Sequence, residues 1–407
     1  MQKSSLLLPS FMWFLAAIFY GYEFFQRVAP TIMALPIMQT FHLNHASFAL
    51  MSSLYLYAYA LSQLPAGVIL DKYGPKLCLS LSALGVALGT LLFSETQSLI
   101  FLGLGRILVG IGSAFAFIGC LKLATQWFEG KIFGIIVGLT SLIGVLGALV
   151  GQAPLAALVE HYGWIQSLKF SGYLGLFIAL ILFTFIKNPP QTVQTLSPSI
   201  KSSLGTLLKT PQNWLIGLHA GLMVSPVIAF TELWAVPFLE QVHHFSPVKA
   251  AFINQFIFIG IAIGGPLHGF LANKIGRKKP IMGGFQLLAI LCLFCIISFN
   301  FPSHFLMLLM FTFGFSISSV LLSFPLATEI HPKKYSATAI AFTNLFIMLI
   351  GAGFQNLIGD GLTFFLGSDD LTTSPSIFRL VLLILPIALI LNFILWLFIQ
   401  EIKKPSR

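Results

Sequence analysis

The chain has 407 residues, of which 57% are hydrophobic and only 8% charged, with a net charge of +10. A soluble domain carries roughly 25% charged residues, so this chain lacks the polar surface that water demands, and its mean hydropathy of +0.93 says the same. A soluble enzyme, a nucleic-acid binder and a disordered scaffold are excluded, because the apolar residues come in runs of roughly 20, enough to cross a bilayer.

Backbone groups in lipid must pair internally, and these runs are too long and too evenly apolar for barrel strands, so they are read as helices. In chain order the spacing predicts α1 over 10–36, α2 over 47–70, α3 over 76–94, α4 over 98–124, α5 over 131–157 and α6 over 165–186. Then come α7 over 213–239, α8 over 249–271, α9 over 279–299, α10 over 303–329, α11 over 336–362 and α12 over 377–400. One long polar stretch, 187–213, holds Pro189-Pro190 and several Ser and Thr residues. It divides the chain into an N-terminal six-helix bundle (1–187), a cytoplasmic linker (188–212) and a C-terminal six-helix bundle (213–407).

Charge placement sets the expected orientation. With both termini inside, sixteen of the 22 lysines and arginines fall on the cytoplasmic side, among them Lys72, Lys76, Lys187, Lys274, Arg277, Lys278 and Lys279. Only Lys169, Lys249 and Arg379 fall outside, and Arg27, Arg106 and Lys122 lie within the membrane. This bias is the positive-inside rule, and it explains the basic charge without nucleic acid. No cleavable signal peptide is expected, since the first apolar run lacks a small-residue cleavage site. Short loops and the lack of a glycosylation sequon fit a bacterial inner membrane. Cys78, Cys120, Cys292 and Cys295 all lie in apolar runs and read as small buried hydrophobes, so neither a disulfide nor a metal site is implied.

The two halves repeat. Gly67-Val-Ile-Leu-Asp71-Lys72-Tyr73-Gly74-Pro75-Lys76 follows α2, and Gly269-Phe-Leu-Ala-Asn273-Lys274-Ile275-Gly276-Arg277-Lys278 follows α8, 202 residues later. Leu123-Ala124-Thr125 ends α4 and Leu326-Ala327-Thr328 ends α10 at offset 203, while Pro36 and Pro237, each followed six residues on by a histidine, sit at offset 201. Three matches at nearly one offset mark a duplicated six-helix unit. Here the chain resembles the major facilitator superfamily along its whole length. That family's loop signature is G-x-x-x-D-[RK]-x-G-[RK]-[RK]. Gly67, Asp71, Lys72, Gly74 and Lys76 fit it, with Pro75 in place of a basic residue, and the second copy has Asn273 where the aspartate stands. The resemblance implies an all-α membrane fold of twelve helices in two pseudo-symmetric bundles. These loop residues would form a conformational latch, Asp71 pairing with basic groups nearby. Glu329, at the end of α10, is expected to meet Arg277 or Lys278, and Glu129 to meet Lys76.

A charge at the bilayer centre costs about 2.5–3.5 kcal/mol on insertion scales, so each is a functional candidate. In α1, Glu23 and Arg27 are four residues apart and share a face, with Tyr20 close by on the same arc. Arg27 is expected to bind a substrate carboxylate through its two-point fork, and Glu23 to carry a proton. Substrate on Arg27 would release Glu23 for protonation. The Glu23, Gln26, Arg27 pattern resembles the helix 1 motif of proton-coupled peptide transporters, with Gln26 replacing a second acid, and a helix 1 arginine also resembles the organic-anion symporter branch. Arg106 with Gly110 and Gly112 fits the superfamily's R-x-x-x-G-x-G run, whose arginine is linked to proton transfer. In α5 the glycines Gly144, Gly147 and Gly151 are present without the Gly-Pro pair usual in antiporters, which favours symport.

Further candidates are Tyr55 and Tyr59 on one face of α2, the repeat-related Gln152 and Gln355, and Trp234 and Glu232 in α7. The first five of these groups would contact substrate, and Glu232 would bind a substrate amino group or carry a second proton. No nucleotide-binding loop and no paired acid–base or metal constellation is present, so the expectation is a transporter without cofactor rather than an enzyme, driven by a proton gradient. The expected function is alternating-access import of a small polar or anionic nutrient: an amino acid, short peptide, organic acid or iron-siderophore. The look is that of bacterial nutrient carriers of the phagosomal type, acting as a monomer whose partners are a small-molecule substrate and the lipid bilayer. The alternative is an efflux antiporter that exports a drug or a secreted metabolite.

Overall fold

A computed structural model describes residues 7–128, 131–188, 205–332, 335–367 and 374–401. Among them every regular element is helical, and ten helical stretches are long and apolar enough to cross a membrane. Large apolar side chains remain exposed along the helices, such as Leu61, Ile100, Phe270 and Phe364. Water would penalise such a surface, and lipid tails accept it.

Two long helical runs are each a pair of helices joined at a glycine. His45–Glu95 turns at Gly74 (φ 79°, ψ 162°) and Ala153–Phe185 turns at Gly163 (φ 75°, ψ 161°). Counted through these breaks, the described residues form twelve long helices, and the labels α1–α12 carry over. α1 is Leu7–Ile32, extended by Ala34–Phe41; α2 and α3 divide His45–Glu95 at Gly74; α4 joins Leu99–Ser113 to Ala116–Trp127. α5 starts as Lys131–Val150 and continues from Ala153 to the Gly163 turn, and α6 follows to Phe185. α7 is built from Pro211–Pro226, a π-helical stretch Val227–Trp234, and Ala235–His243. α8 is Pro247–Ile275, α9 Lys279–Ser298, α10 Ser303–Glu329 with a 3-10 segment Ser318–Leu322, α11 Ser336–Leu366, and α12 Pro375–Leu382 with Ile384–Phe398.

The chain forms two compact units, Met1–Met33 with Leu54–Gln194, and Ala34–Ser53 with Thr195–Arg407. In the first, the glycines of α5 let it lie against α1. A Cβ at Gly144 would meet the Tyr20 ring, at Gly147 the Gly21 backbone, and at Gly151 the Val28 side chain. This close approach sets the height and rotation of the α1 face that carries Glu23 and Arg27. Gly110 of α4 lies in the same way on the Tyr55 backbone of α2.

In the second unit α7 runs beside α11, with Gly217 and Gly221 on Phe346. The short excursion 34–53 belongs to this unit. Ala46 N donates to Thr363 Oγ1 at 2.9 Å, Ser53 Oγ to Asn356 Oδ1 at 3.1 Å, and the His45 and Phe48 rings each lie 5.9 Å from that of Trp234.

Candidate functional site

The first unit gathers its intramembrane charges. Glu23 and Arg27 of α1 are 1% and 8% exposed, and Arg106 of α4 is 6% exposed. The Tyr55 hydroxyl of α2 donates to Glu23 Oε1. Arg106 places its guanidinium 4.8 Å from the centre of the Tyr55 ring and donates from Nη1 to the Gln26 carbonyl at 3.2 Å. One tyrosine therefore links the buried acid to the α4 arginine, its edge hydroxyl on the carboxylate and its π-face on the cation. Tyr59, one turn on, stacks with Tyr55 at 6.0 Å between centroids. Arg27 lies 5.4 Å from the Phe24 ring centre. Tyr20 is half-buried against Phe117 of α4 at 5.1 Å, within coulombic range of Glu23, Arg27 and Tyr59.

Gln26, which stands where the resemblance has a second acid, is held in a local network. Its amide donates to the Tyr22 hydroxyl at 2.8 Å and to Ser171 Oγ at 2.5 Å, and Tyr22 donates to the Ser171 carbonyl. It ties α1 to α6, and through its carbonyl it also anchors Arg106. Nothing in the sequence singled out Ser171 or Tyr22. Gln152 is fully buried in the break between Val150 and Ala153.

The second unit holds the remaining candidates in and beside the π-helical stretch of α7. Glu232 is 4% exposed, and Trp234 is fully buried. Gln355 of α11 donates its side-chain amide to the Ile228 carbonyl at 2.9 Å, and its backbone carbonyl accepts the Trp234 indole N–H at 3.2 Å. Asn254 of α8, absent from the sequence reading, donates to the Thr231 carbonyl at 2.9 Å. These two amides meet carbonyls that the widened helix turns toward its neighbours.

The lysine-rich helix ends carry the expected latch groups, with partners the sequence did not all supply. Asp71 pairs with Lys122 of α4 at 2.5 Å instead of with a basic residue of the adjoining loops. Lys72 lies over the Tyr73 ring and Lys76 over the Phe183 ring, both at 5.0 Å. The Lys76 backbone N–H donates to Asn188 Oδ1 at 3.1 Å, and Asn188 occupies the space where a Gly74 side chain would project. Gly67 has open space about it. In the second unit, Lys278 Nζ reaches both Glu329 oxygens at 2.8 and 3.0 Å, while Asn273 and Arg277 are exposed. Glu401, directly after α12, accepts the backbone N–H groups of Lys278 at 2.5 Å and Lys279 at 3.2 Å. The expected contact of Glu129 lies outside the described residues. Beside the latch, His331 and Asn213 share hydrogen bonds of 2.7 and 3.0 Å, and partial burial lowers the His331 imidazole below its ordinary value.

Twelve long helices among the described residues, ten of whose stretches are apolar enough to cross a membrane, together with a duplicated loop motif and buried charges, have the character of a multi-pass membrane transporter. The sequence profile described as Major Facilitator Superfamily matches residues 12–355, and the chain belongs to that family. Among curated relatives, the uncharacterized transporter YybO of Bacillus subtilis is 26% identical, and the match spans 44% of this chain but only 41% of that one. The probable galactarate/D-glucarate transporter GudP of Escherichia coli is 23% identical over 70% of this chain and 72% of its own. The lysosomal dipeptide transporter MFSD1 of Danio rerio is 24% identical over 80% and 75%. Among solved structures, an inward-facing, occupied bacterial homologue of the human lysosomal transporter Spinster superposes with a TM-score of 0.82 at 20% identity, covering 96% of each chain. At that identity the likeness shows the shared fold alone.

Proposed function

We propose that this chain imports a small carboxylate-bearing solute (an amino acid, short peptide or organic acid) together with protons, by alternating access across a bacterial inner membrane with both termini cytoplasmic. The observation that carries this reading is the buried Glu23, which accepts the Tyr55 hydroxyl one turn from the buried Arg27. A helix that spends insertion energy on an acid and a base at one level needs a use for both. Arg27 offers a fork for a carboxylate. Glu23 gains a proton when substrate takes up that positive charge, and Tyr55 holds the carboxyl oxygen in place in either state. Arg106, over the Tyr55 ring, makes the same tyrosine sensitive to α4. The names of two relatives support the substrate class, since galactarate, glucarate and dipeptides all present carboxylates. Tyr20, Tyr59 and Gln152 of the first unit are assigned supporting contacts to solute.

The test uses purified protein in proteoliposomes. A thermal-shift screen with galactarate, glucarate and dialanine selects the probe. Arg27→Lys keeps the charge and loses the fork, so half-saturation in counterflow should rise by about tenfold or more; unchanged affinity removes Arg27 from the site. Glu23→Gln should lose uptake driven by a pH gradient while retaining exchange. Full uphill uptake in that variant would reject Glu23 as the proton carrier.

A further inference from the structure

We propose that Pro30 is a positioning residue for the buried acid of the first unit: by withholding a backbone N–H it leaves the Gln26 carbonyl to Arg106, and so fixes that guanidinium over the Tyr55 ring. The consequence for transport rests on Glu23 as the proton carrier, whereas the link from Pro30 to Arg106 stands on geometry alone.

In a regular helix the carbonyl of residue 26 accepts the N–H of residue 30. Residue 30 is a proline buried inside α1, so that donor does not exist, and the ring crowds the same carbonyl away from its usual line. The helix leaves its regular course just beyond, with Met33 N bonding to the Pro30 carbonyl at 3.2 Å and a break between Ile32 and Ala34. A carbonyl that lacks its helix donor and is sealed from water needs another partner. Arg106 of α4, 80 residues away in the chain, supplies one from Nη1 at 3.2 Å.

The turn that carries this carbonyl is held from two other directions. Gln26 sends its side-chain amide to Ser171 Oγ of α6 and to the Tyr22 hydroxyl, and Gly151 of α5 closes on the Val28 side chain. The acceptor is therefore fixed, and the guanidinium comes to it. A planar fork of five N–H groups can bond a carbonyl with one edge while its flat face stays over Tyr55, 4.8 Å from the ring centre. A lysine, with a single nitrogen, has no such edge and face. Tyr55 donates in turn to Glu23 Oε1. Pro30 thus stands at the head of a chain that runs from the Gln26 carbonyl through Arg106 and Tyr55 to Glu23. A change of bend at Pro30 carries the carbonyl with it, moves the cation over the Tyr55 ring and alters the hold on the carboxyl group.

The first experiment needs no solute: thermal unfolding of the purified full chain in detergent, as a double-mutant cycle of Pro30→Ala and Arg106→Met. Alanine restores the N–H and lets the helix close on the Gln26 carbonyl. Arg106→Met should lower the midpoint in the wild-type background and lose about half or more of that effect in the Pro30→Ala background. A proline that only shaped α1 would give additive changes, and additivity would overturn the proposal. Pro30→Gly, which restores the same N–H, repeats the cycle if the alanine variant does not fold. The second measurement separates rate from affinity in proteoliposomes, with galactarate, glucarate or dialanine as the thermal-shift screen selects. Pro30→Ala should slow uptake driven by a pH gradient by about tenfold while half-saturation in counterflow stays within about twofold, since Arg27 keeps its fork. An unchanged rate in that variant, where Glu23→Gln does abolish gradient-driven uptake, would also overturn it. Where Glu23→Gln retains full uphill uptake, the import reading fails by itself, and the unfolding cycle still decides the link between Pro30 and Arg106.

Discussion

The lysine-rich ends of the two units answer one structural problem with opposite charge placement. In the first, the acid stands at the end of α2 (Asp71) and the base on α4 (Lys122). In the second, the position equivalent to Asp71 is neutral Asn273; the acid is Glu329 on α10, whose counterpart is Gln126, and the base is Lys278 at the start of α9. The caps differ likewise. Neutral Asn188 after α6 accepts from Lys76 N, whereas anionic Glu401 after α12 accepts from Lys278 N and Lys279 N. The side chains of the second pair are 17% and 22% exposed, against 32% and 55% in the first. A duplicated fold thus conserves where helix ends need partners without conserving which side supplies the charge, because a pair is satisfied equally well from either direction.

The turn glycines give the largest expected contrast. Gly74 adopts a conformation almost restricted to glycine and lies against Asn188, while Gly276 (φ 73°, ψ 7°) is left-handed with open space about it. Gly74→Ala should cost about 3 kcal/mol and Gly276→Ala about 1 kcal/mol, read by thermal unfolding in detergent. Equal losses would mean that the two turns are not distinguished as described. Next, Glu329→Gln strands the half-buried Lys278 ammonium and should cost about 2 kcal/mol, largely independent of salt. Of the caps, Glu401→Ala removes a charged acceptor at a helix N-terminus and should cost about 1 kcal/mol; Asn188→Ala should cost about half of that. The reverse order would break the assignment of Glu401 as the stronger cap.

Asp71→Asn comes lower, at under about 1 kcal/mol and fading in high salt, since its pair is exposed. A salt-resistant loss there would place the pair in a drier setting than its exposure indicates. The smallest effect belongs to His331. Burial lowers its imidazole below the ordinary 6.5, so below that pH the unfolded chain binds more protons than the folded one. Its contribution is complete above pH 6.5 and declines as pH falls. The pH slope of the melting temperature should flatten in His331→Gln, and an unchanged slope would assign the titration elsewhere.

Individual residues show how far the sequence could be read. Glu329 was legible as a partner for Arg277 or Lys278, because the acid ends an apolar run beside a short basic loop and few geometries are open to it; the structure selects Lys278. Lys122 pointed to the membrane interior on hydropathy alone, yet it reaches Asp71, 51 residues away in the chain. That pairing depends on how α4 lies beside α2, through glycines such as Gly110, and no local pattern encodes it. Tyr55 was legible as a polar face of α2, but its engagement with Glu23 follows from the depth at which α1 sits. The π-helical stretch of α7 has proline signals on either side, but the widened turn is stabilised by Asn254 and Gln355 from other helices, which hydrophobic periodicity does not report.

By itself the sequence determined the membrane class, the helical composition, the duplication and the family, because hydropathy, charge bias and a short loop motif act locally or through the solvent. The tertiary structure alone decided which acid meets which base and which carbonyls a side-chain amide must satisfy. Those outcomes depend on the distance and rotation between helices, and in lipid, where no hydrophobic force sorts one apolar face from another, close packing of small residues sets both.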